Sequence, residues 1–171
     1  MSAPFSIRLK AFLIDYIFIF IYLLLLVILS VFLFPSLQEL FTGSLILAQF
    51  TGFLMVTLPI SLYFIICDSV IGGQTFGKKK MGIQVVNKYG NSLSIPHNIF
   101  RTILKFSPWE LSHYLNYRLV SISDGSMPFN YYMVGILIYA LIFTYILTAV
   151  FTKKKRALYD IIVKSQVVKI K

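Results

Sequence analysis

The feature that most constrains this chain is an unbroken apolar run over residues 11–34, in which Asp15 is the only charged residue. A helix needs roughly 20 residues to cross about 30 Å of hydrocarbon, and this run exceeds that length. Two further apolar runs, residues 44–67 and 131–151, contain no charged residue at all. These runs predict an all-α membrane protein with a single domain, residues 1–171. Pro59 lies inside the second run, where a neighbouring helix must satisfy the carbonyl that it frees.

The distribution of basic residues predicts an orientation, because cytoplasmic flanks of membrane helices carry the excess of Lys and Arg. Thirteen of the sixteen basic residues flank the apolar runs at the N-terminus, after the second run and in the tail, residues 152–171. They are Arg8, Lys10, Lys78, Lys79, Lys80, Lys88, Lys153, Lys154, Lys155, Arg156, Lys164, Lys169 and Lys171. Three crossings would separate the two termini, whereas four place all thirteen on one side. We therefore expect four membrane helices in the cell membrane, with both termini cytoplasmic.

The fourth segment is predicted at residues 98–122, although hydropathy alone would not identify it. Its charged residues are Arg101, Lys105, Glu110 and Arg118. The basic side chains can reach the two interfaces, but a glutamate near the middle of the segment cannot easily do so. Two alternatives remain open. The segment could lie as an amphipathic helix on the cytoplasmic surface, leaving a bundle of three spans, or form a re-entrant hairpin broken at Pro108.

The cytoplasmic loop, residues 72–96, contains two short β-branched runs around a turn-rich stretch at residues 87–91. Residues 83–86 and 92–95 flank this turn, which is typical of a β-hairpin. Residues 167–170 of the tail are another short run of the same kind and could add a third strand. We expect a small cytoplasmic hairpin or three-stranded sheet that ties the tail to the loop.

Asp15 is the least expected residue in the chain, because a charge at the centre of a membrane helix costs ~3 kcal/mol. It therefore needs a partner, a proton or water. Arg8 projects from the same helix face but lies ~10 Å away along the axis, so a bridge from another segment is more natural. Candidates for that bridge are Arg101, Lys105 and Arg156. Asp15 is thus either a structural staple or a carboxylate in a proton or cation pathway.

Near the C-terminus, Asp160 follows Arg156 by four residues, which predicts that both lie on one face of a helix. In the cytoplasmic loop, residues 72–82 resemble a phosphate loop, but Lys79 stands where Ser or Thr should follow Gly77 and Lys78. The lysines are better explained as contacts to anionic lipid head groups. These predicted contacts are Lys78, Lys79, Lys80, Lys153, Lys154 and Lys155.

Several other function classes are not favoured by the composition. The net charge of +10 is explained by membrane orientation and lipid, so we expect no nucleic-acid partner. The single cysteine, Cys67, and the distant pair His97 and His113 show no metal-ligand spacing, so no metal or cofactor is expected. No nucleophile and acid–base set is present in the pattern, and we therefore expect no enzyme.

The order of these residues resembles the RDD family of bacterial membrane proteins, which is named for one arginine and two aspartates. Arg8, Asp15 and Asp160 match those three residues. Residues 73–78 (GQTFGK) and 82–86 (GIQVV) are similar to the loop of the family, and Arg101 stands where an arginine usually opens the next segment. The chain departs from the pattern at Tyr159, where the family usually has His, and at residues 164–166, where it usually has an Ala-Gly-Thr-like turn.

This resemblance implies a transport role, since some members are linked to sodium–proton exchange. The leading hypothesis is a small transporter or cation/proton exchange component, acting as a homo-oligomer, in which Asp15 takes Na⁺ or H⁺ near Arg8, Arg101 or Arg156. Tyr159 weakens the proton-coupled version, because the family histidine is replaced. The alternative is a non-catalytic scaffold or regulatory protein for an unknown membrane partner, in which Arg8, Asp15 and Asp160 form a structural clasp.

Overall fold

The computed structural model describes residues 2–42, 44–122 and 127–170. In these residues eight α-helices, two π-helical turns and two strands follow one another along the chain. The helices are α1 (Phe5–Ile28), α2 (Ser36–Thr42), α3 (Leu45–Gly52), α4 (Leu58–Cys67), α5 (Phe76–Lys80), α6 (Ile95–Val120), α7 (Phe129–Phe151) and α8 (Leu158–Ile162). The strands are β1 (Ile83–Asn87) and β2 (Ser165–Lys169). The π-helical turns are Leu29–Leu33, which extends α1, and Phe53–Thr57, which joins α3 to α4.

Three helices are long and apolar enough to cross a membrane: Phe5–Leu33, Leu45–Cys67 and Phe129–Phe151. They coincide with the three apolar runs of the sequence, so that prediction is confirmed. Many of their large apolar side chains, such as Phe20 and Phe143, stay exposed. A surface of this kind suits hydrocarbon, because soluble proteins rarely expose contiguous apolar patches of comparable extent.

The second of these helices contains Pro59, which cannot donate a backbone hydrogen bond to the carbonyl of Met55 four residues earlier. A π-helical turn, Phe53–Thr57, precedes the proline and absorbs part of the irregularity. The hydroxyl of Tyr22 on α1 donates to the carbonyl oxygen of Met55. The prediction that a neighbouring helix satisfies this carbonyl is therefore confirmed.

The long helix α6 runs without a break through Pro108, so the re-entrant hairpin is excluded. Pro108 frees the carbonyl of Leu104, which accepts hydrogen bonds from Ser107 and from the hydroxyl of Tyr145 on α7. This arrangement keeps the helix intact, because the lost backbone donor is replaced. The 26 residues of α6 extend ~39 Å at 1.5 Å per residue, and they pack against α3, α4 and α7. That α6 crosses the bilayer stays a prediction.

The sheet has two strands, and its pairing differs from the expected hairpin. β1 pairs antiparallel with β2 of the tail, in a register that places Val85 opposite Val167. Residues 92–95 contribute only two isolated bridges, one between Val86 and Ser92 and one between Ser69 and Leu93. The hairpin prediction is wrong because α6 already begins at Ile95, which leaves too few residues after the turn for a strand. The prediction that a sheet ties the tail to the loop is confirmed.

A small apolar core lies between this sheet and the first turns of α1. Its buried members are Ala3, Ala11, Ile83, Val85, Leu93 and Val167. The sheet, α5 and α8 thus gather at one end of the helix bundle, around the beginnings of α1 and α6. We call this region the sheet end. A second buried cluster of Ile19, Ile60 and Phe64 joins α1 to α4 deeper in the bundle.

Candidate functional site

Five charged side chains form a continuous chain of ion pairs across the sheet end. Arg8 on α1 donates to Asp160 on α8 at 2.9 Å, and Arg101 on α6 donates to the other oxygen of Asp160 at 2.8 Å. Arg101 also reaches Asp68, at the end of α4, at 3.3 Å. Lys78 on α5 donates to both oxygens of Asp68, at 2.7 and 2.8 Å. The pairs therefore connect five helices, α1, α4, α5, α6 and α8.

The carboxylates in this chain are fully buried, so their charges depend on these partners. Removing ions from water costs several kcal/mol each, and only good geometry with further hydrogen bonds offsets that cost. Asp160 also accepts a hydrogen bond from the hydroxyl of Ser165, at 2.8 Å. Burial acts to raise the pKa of Asp160, but the charges of Arg101 and Arg8 outweigh it and hold the pKa below its usual value. Asp160 is therefore ionised at neutral pH.

Asp15 is bonded differently, because all of its donors are uncharged. One oxygen accepts from the hydroxyl of Tyr63 at 2.9 Å and from the backbone N–H of Gly77 at 2.7 Å. The other oxygen accepts from the hydroxyl of Thr75 at 2.6 Å. The residue is 1% exposed. Two hydroxyls and one backbone N–H thus bind both oxygens of Asp15, and none of these groups carries a charge.

Tight packing between α5 and α1 makes these bonds to Asp15 possible. A Cβ atom on Gly77 would lie 2.0 Å from the carbonyl oxygen of Ala11 and 2.9 Å from the carboxyl carbon of Asp15. Only glycine therefore allows α5 to approach α1 so closely. Thr75 begins α5 as its N-cap residue, and its hydroxyl accepts from the backbone N–H of Lys78 while donating to Asp15.

The predicted cationic bridge to Asp15 is absent from the residues that the structure describes. Arg8 pairs with Asp160 instead, and Arg101 pairs with Asp160 and Asp68. Lys105 makes no ion pair within the described part of the chain. Tyr63 of α4 and the loop residues Thr75 and Gly77 supply the donors that the sequence pattern assigned to basic residues. Of the predicted cluster of Arg8, Asp15, Arg101, Arg156 and Asp160, ion pairs connect Arg8, Arg101 and Asp160.

Arg156 does not join that site in the way the spacing predicted. α8 begins at Leu158, so Arg156 lies in the preceding connector and shares no helix face with Asp160. Its backbone N–H donates to the hydroxyl of Thr152. Its guanidinium makes no ion pair with Asp160 in the described residues, and its buried Nε has no hydrogen-bond partner there. The helix-face prediction is wrong because the helix starts too late.

The lysines predicted to contact lipid fall into two groups. Lys78 is buried and paired with Asp68, which makes it a poor lipid ligand and corrects that prediction. Lys155 is half-buried, and its carbonyl accepts a hydrogen bond from Arg8. The remaining four are exposed: Lys79, Lys80, Lys153 and Lys154. Contact of these four with anionic head groups stays a prediction.

Asp68 is the residue of this site that the sequence reasoning missed. The signal was present, because Asp68 is one of only six acidic residues and directly follows the second apolar run. A carboxylate there, ten residues before Lys78, is well placed for pairing with the basic loop. Tyr63 and Thr75 carry no comparable signal, since tyrosines and threonines are frequent in and near the apolar runs.

The histidines have ordinary structural contacts. The His97 ring shares a hydrogen bond with the carbonyl of Val163, and His113 lies against the ring of Trp109. Across the described ranges, no group of three or more His, Cys, Asp or Glu side chains could hold a metal ion. The site is therefore a set of paired charges and capped carboxylates. We call Arg8, Asp15, Asp68, Lys78, Arg101 and Asp160 the clasp.

Comparison with known proteins identifies a family. The model of the RDD family matches residues 2–164, which is nearly the whole chain and includes every member of the clasp. No curated protein and no solved structure gives a significant match.

Proposed function

The chain belongs to the RDD family, and from this premise we propose that it is a non-catalytic membrane scaffold or regulatory protein. In this proposal the clasp locks the loop, residues 72–96, and the tail against the membrane helices. The locked sheet end then presents a fixed surface to an unknown membrane partner. Exposed lysines at this end include Lys79, Lys80 and Lys88.

One observation carries the proposal: every carboxylate of the clasp is already saturated by donors from the protein. Asp15 accepts three hydrogen bonds, and Asp68 and Asp160 are each bonded to two cations. A carboxylate that carries an ion must exchange protein donors for that ion in each cycle. Doing so here would disconnect α5, α6 and α8 from the remaining helices. Buried networks of this kind suit a structural lock.

A second candidate function, cation or proton exchange at Asp15, rests on a different observation. Asp15 is a buried carboxylate without a cationic partner in the described residues, and it lines a small cavity of about 80 Å³. Intramembrane carboxylates of this kind often mark ion pathways. The same cavity is also lined by Arg8, Lys78, Arg101 and Lys105. These charges repel a cation, which is why we rank exchange second.

Flux measurements separate the two candidates. Purified protein is reconstituted into liposomes, and Na⁺, K⁺ and H⁺ flux is compared with that of empty vesicles. The scaffold proposal predicts no excess flux. Flux through the wild type that disappears in a folded Asp15→Asn variant would instead establish exchange at Asp15. A folded Tyr63→Phe variant is the matched control, since it removes one donor to Asp15 and keeps the carboxylate.

Proteolysis tests the lock itself. Trypsin cleavage after Lys164 and Lys169 should be slow in the wild type, because these residues flank or lie in β2. The Asp160→Asn variant should release the tail and speed cleavage. The Arg156→Gln variant should not, because Arg156 makes no ion pair with Asp160 in the described residues. Equal cleavage rates in all three proteins would contradict the lock.

We further propose that α6 is a fourth crossing and that both termini are cytoplasmic. In support, α6 packs among α3, α4 and α7, and its Glu110 accepts a hydrogen bond from Thr57 at 2.8 Å. A carboxylate at mid-helix thus has a partner. Single cysteines at Tyr89 and Ser121, in a Cys67→Ala background, should be labelled from opposite sides of the membrane. Labelling of both from one side would place α6 along the surface.

A further inference from the structure

Lys105 is a half-buried cation on α6 that lacks a counter-ion. None of residues 2–42, 44–122 and 127–170 forms an ion pair or hydrogen bond with it. Its Nζ atom lies 3.4 Å from the centroid of the Phe64 ring and 5.0 Å from that of Phe106. Cation–π contacts of this kind stabilise an ammonium group by less than its removal from water costs.

The clasp cannot supply the missing charge. Four cations meet around its small cavity, namely Arg8, Lys78, Arg101 and Lys105. Only three carboxylates accompany them, Asp15, Asp68 and Asp160, and each already accepts hydrogen bonds from other groups. Lys105 is therefore the basic residue of this cavity with which no carboxylate of the clasp forms an ion pair. An anion from outside the described residues would complete the balance.

A cavity of about 320 Å³ lies beside Lys105, between α1, α4, α6 and α7. Most of its wall is apolar, including Ile19, Ile60, Phe106, Trp109, Ile142 and Ile146. The volume is within the range of small-molecule sites. Three wall residues, Phe12, Tyr16 and Ile146, are themselves 39%, 42% and 50% exposed. The cavity is therefore open sideways, between α1 and α7, toward the space that hydrocarbon would fill.

A second cavity of about 300 Å³ adjoins the first on the side of the sheet end. The two share Phe12, Lys105, Tyr145 and Ile146, so they form one cleft along α1 and α7. The second part adds the polar groups of Arg8 and Tyr159. The cleft is therefore apolar toward the middle of the bundle and basic toward the sheet end, with the ammonium of Lys105 between the two parts.

We propose that this cleft binds one anionic phospholipid, with its phosphate beside Lys105 and an acyl chain along Trp109. A water-soluble anion would leave the apolar part unfilled, and an uncharged lipid would leave Lys105 without a counter-ion. Only an amphiphile with a negative head group matches both parts. The site goes beyond the clasp, because it neither requires nor excludes ion flux through the protein.

The single tryptophan of the chain, Trp109, reports directly on this site. The full-length protein is reconstituted into phosphatidylcholine vesicles containing equal fractions of brominated phosphatidylglycerol or brominated phosphatidylcholine, whose bromine atoms quench tryptophan. We expect about a fivefold preference for the anionic lipid, equivalent to ~1 kcal/mol for one lysine. Lys105→Gln should abolish the preference, and Lys105→Arg should retain it. Lys88→Gln is the matched control, because Lys88 is exposed on the loop and lines neither part of the cleft.

Several outcomes would overturn the proposal. Equal quenching of the wild type by both brominated lipids would show that the cleft has no preference for negative charge. Quenching by neither would show that lipid does not enter, as expected if a partner helix or a second copy fills the cleft. A preference that survives Lys105→Gln would assign it to other basic residues. If Lys105→Gln does not fold, native mass spectrometry of wild-type protein from mixed micelles decides, because the proposal requires one retained phosphatidylglycerol.

Discussion

Removal of the Asp160 carboxylate should be among the most damaging single changes in this protein. The Asp160→Ala variant leaves Arg8 and Arg101 without the oxygens that they bind at 2.9 and 2.8 Å. Breaking a buried ion pair from one side costs about 3–5 kcal/mol, since the remaining charge stays desolvated. The Arg8 side chain is 12% exposed and regains some water, whereas Arg101 is almost completely enclosed. The unpaired charge of Arg101 should therefore account for most of the stability lost in Asp160→Ala.

A double-mutant cycle isolates the pair of interest from other effects of the substitution. In the cycle of Arg8→Met with Asp160→Ala, the two losses should not add, and a coupling of about 2 kcal/mol is expected. The matched cycle uses Arg156→Met with Asp160→Ala. Arg156 is close to Asp160 in sequence but forms no ion pair with it in the described residues, so the coupling should stay within about 0.5 kcal/mol.

The assay is reversible unfolding in mixed micelles with increasing dodecyl sulfate, followed by the fluorescence of Trp109. The free energies come from the transition midpoints and slopes of the four proteins in each cycle. Additive losses for Arg8 and Asp160 would refute the ion pair. A coupling of Arg156 to Asp160 as large as that of Arg8 would also refute the reasoning, because the sequence spacing would then describe the pairing better than the tertiary structure.

Three further predictions follow from other contacts. Gly77→Ala should lower the free energy of unfolding by about 1–3 kcal/mol, because the new Cβ would lie 2.0 Å from the carbonyl oxygen of Ala11. An unchanged unfolding midpoint in dodecyl sulfate would contradict the close contact between α5 and α1. Tyr145→Phe should lower the free energy of unfolding by about 1 kcal/mol in wild type, because the carbonyl of Leu104 loses a hydrogen bond. The loss should be smaller in a Pro108→Ala background, where the backbone N–H of residue 108 can bind that carbonyl instead. Equal losses in both backgrounds would contradict this compensation. The folded pKa of Asp160 lies below the unfolded value, so its stabilisation is present above about pH 4 and is lost as the pH falls further. The melting temperature should therefore fall more steeply from pH 5 to 3 in wild type than in Asp160→Asn, and parallel falls would contradict the lowered pKa.

Most of the clasp can be identified from the charge pattern of the chain and its resemblance to the family. Asp15 stands out because a charged residue inside an apolar run is costly, and the resemblance to the family points to Arg8, Arg101 and Asp160. Their partners cannot be assigned in the same way. Arg8 and Asp160 are 152 positions apart, and the distance between them depends on how α1 and α8 pack. Sequence spacing favours Arg156 as the partner of Asp160 instead, since only local geometry can be read from it.

The sequence alone determined the three apolar spans and the place of Asp15 within the first of them. Hydrophobicity and length belong to each segment separately, and bilayer thickness sets the required length, so no packing information is needed. The tertiary structure alone decided that Thr75, Tyr63 and Gly77 bond Asp15, that β1 pairs with the tail, and that Lys105 has no counter-ion within the described residues. Hydrogen bonds and ion pairs act over about 3 Å, and only the packing of distant segments brings groups that close.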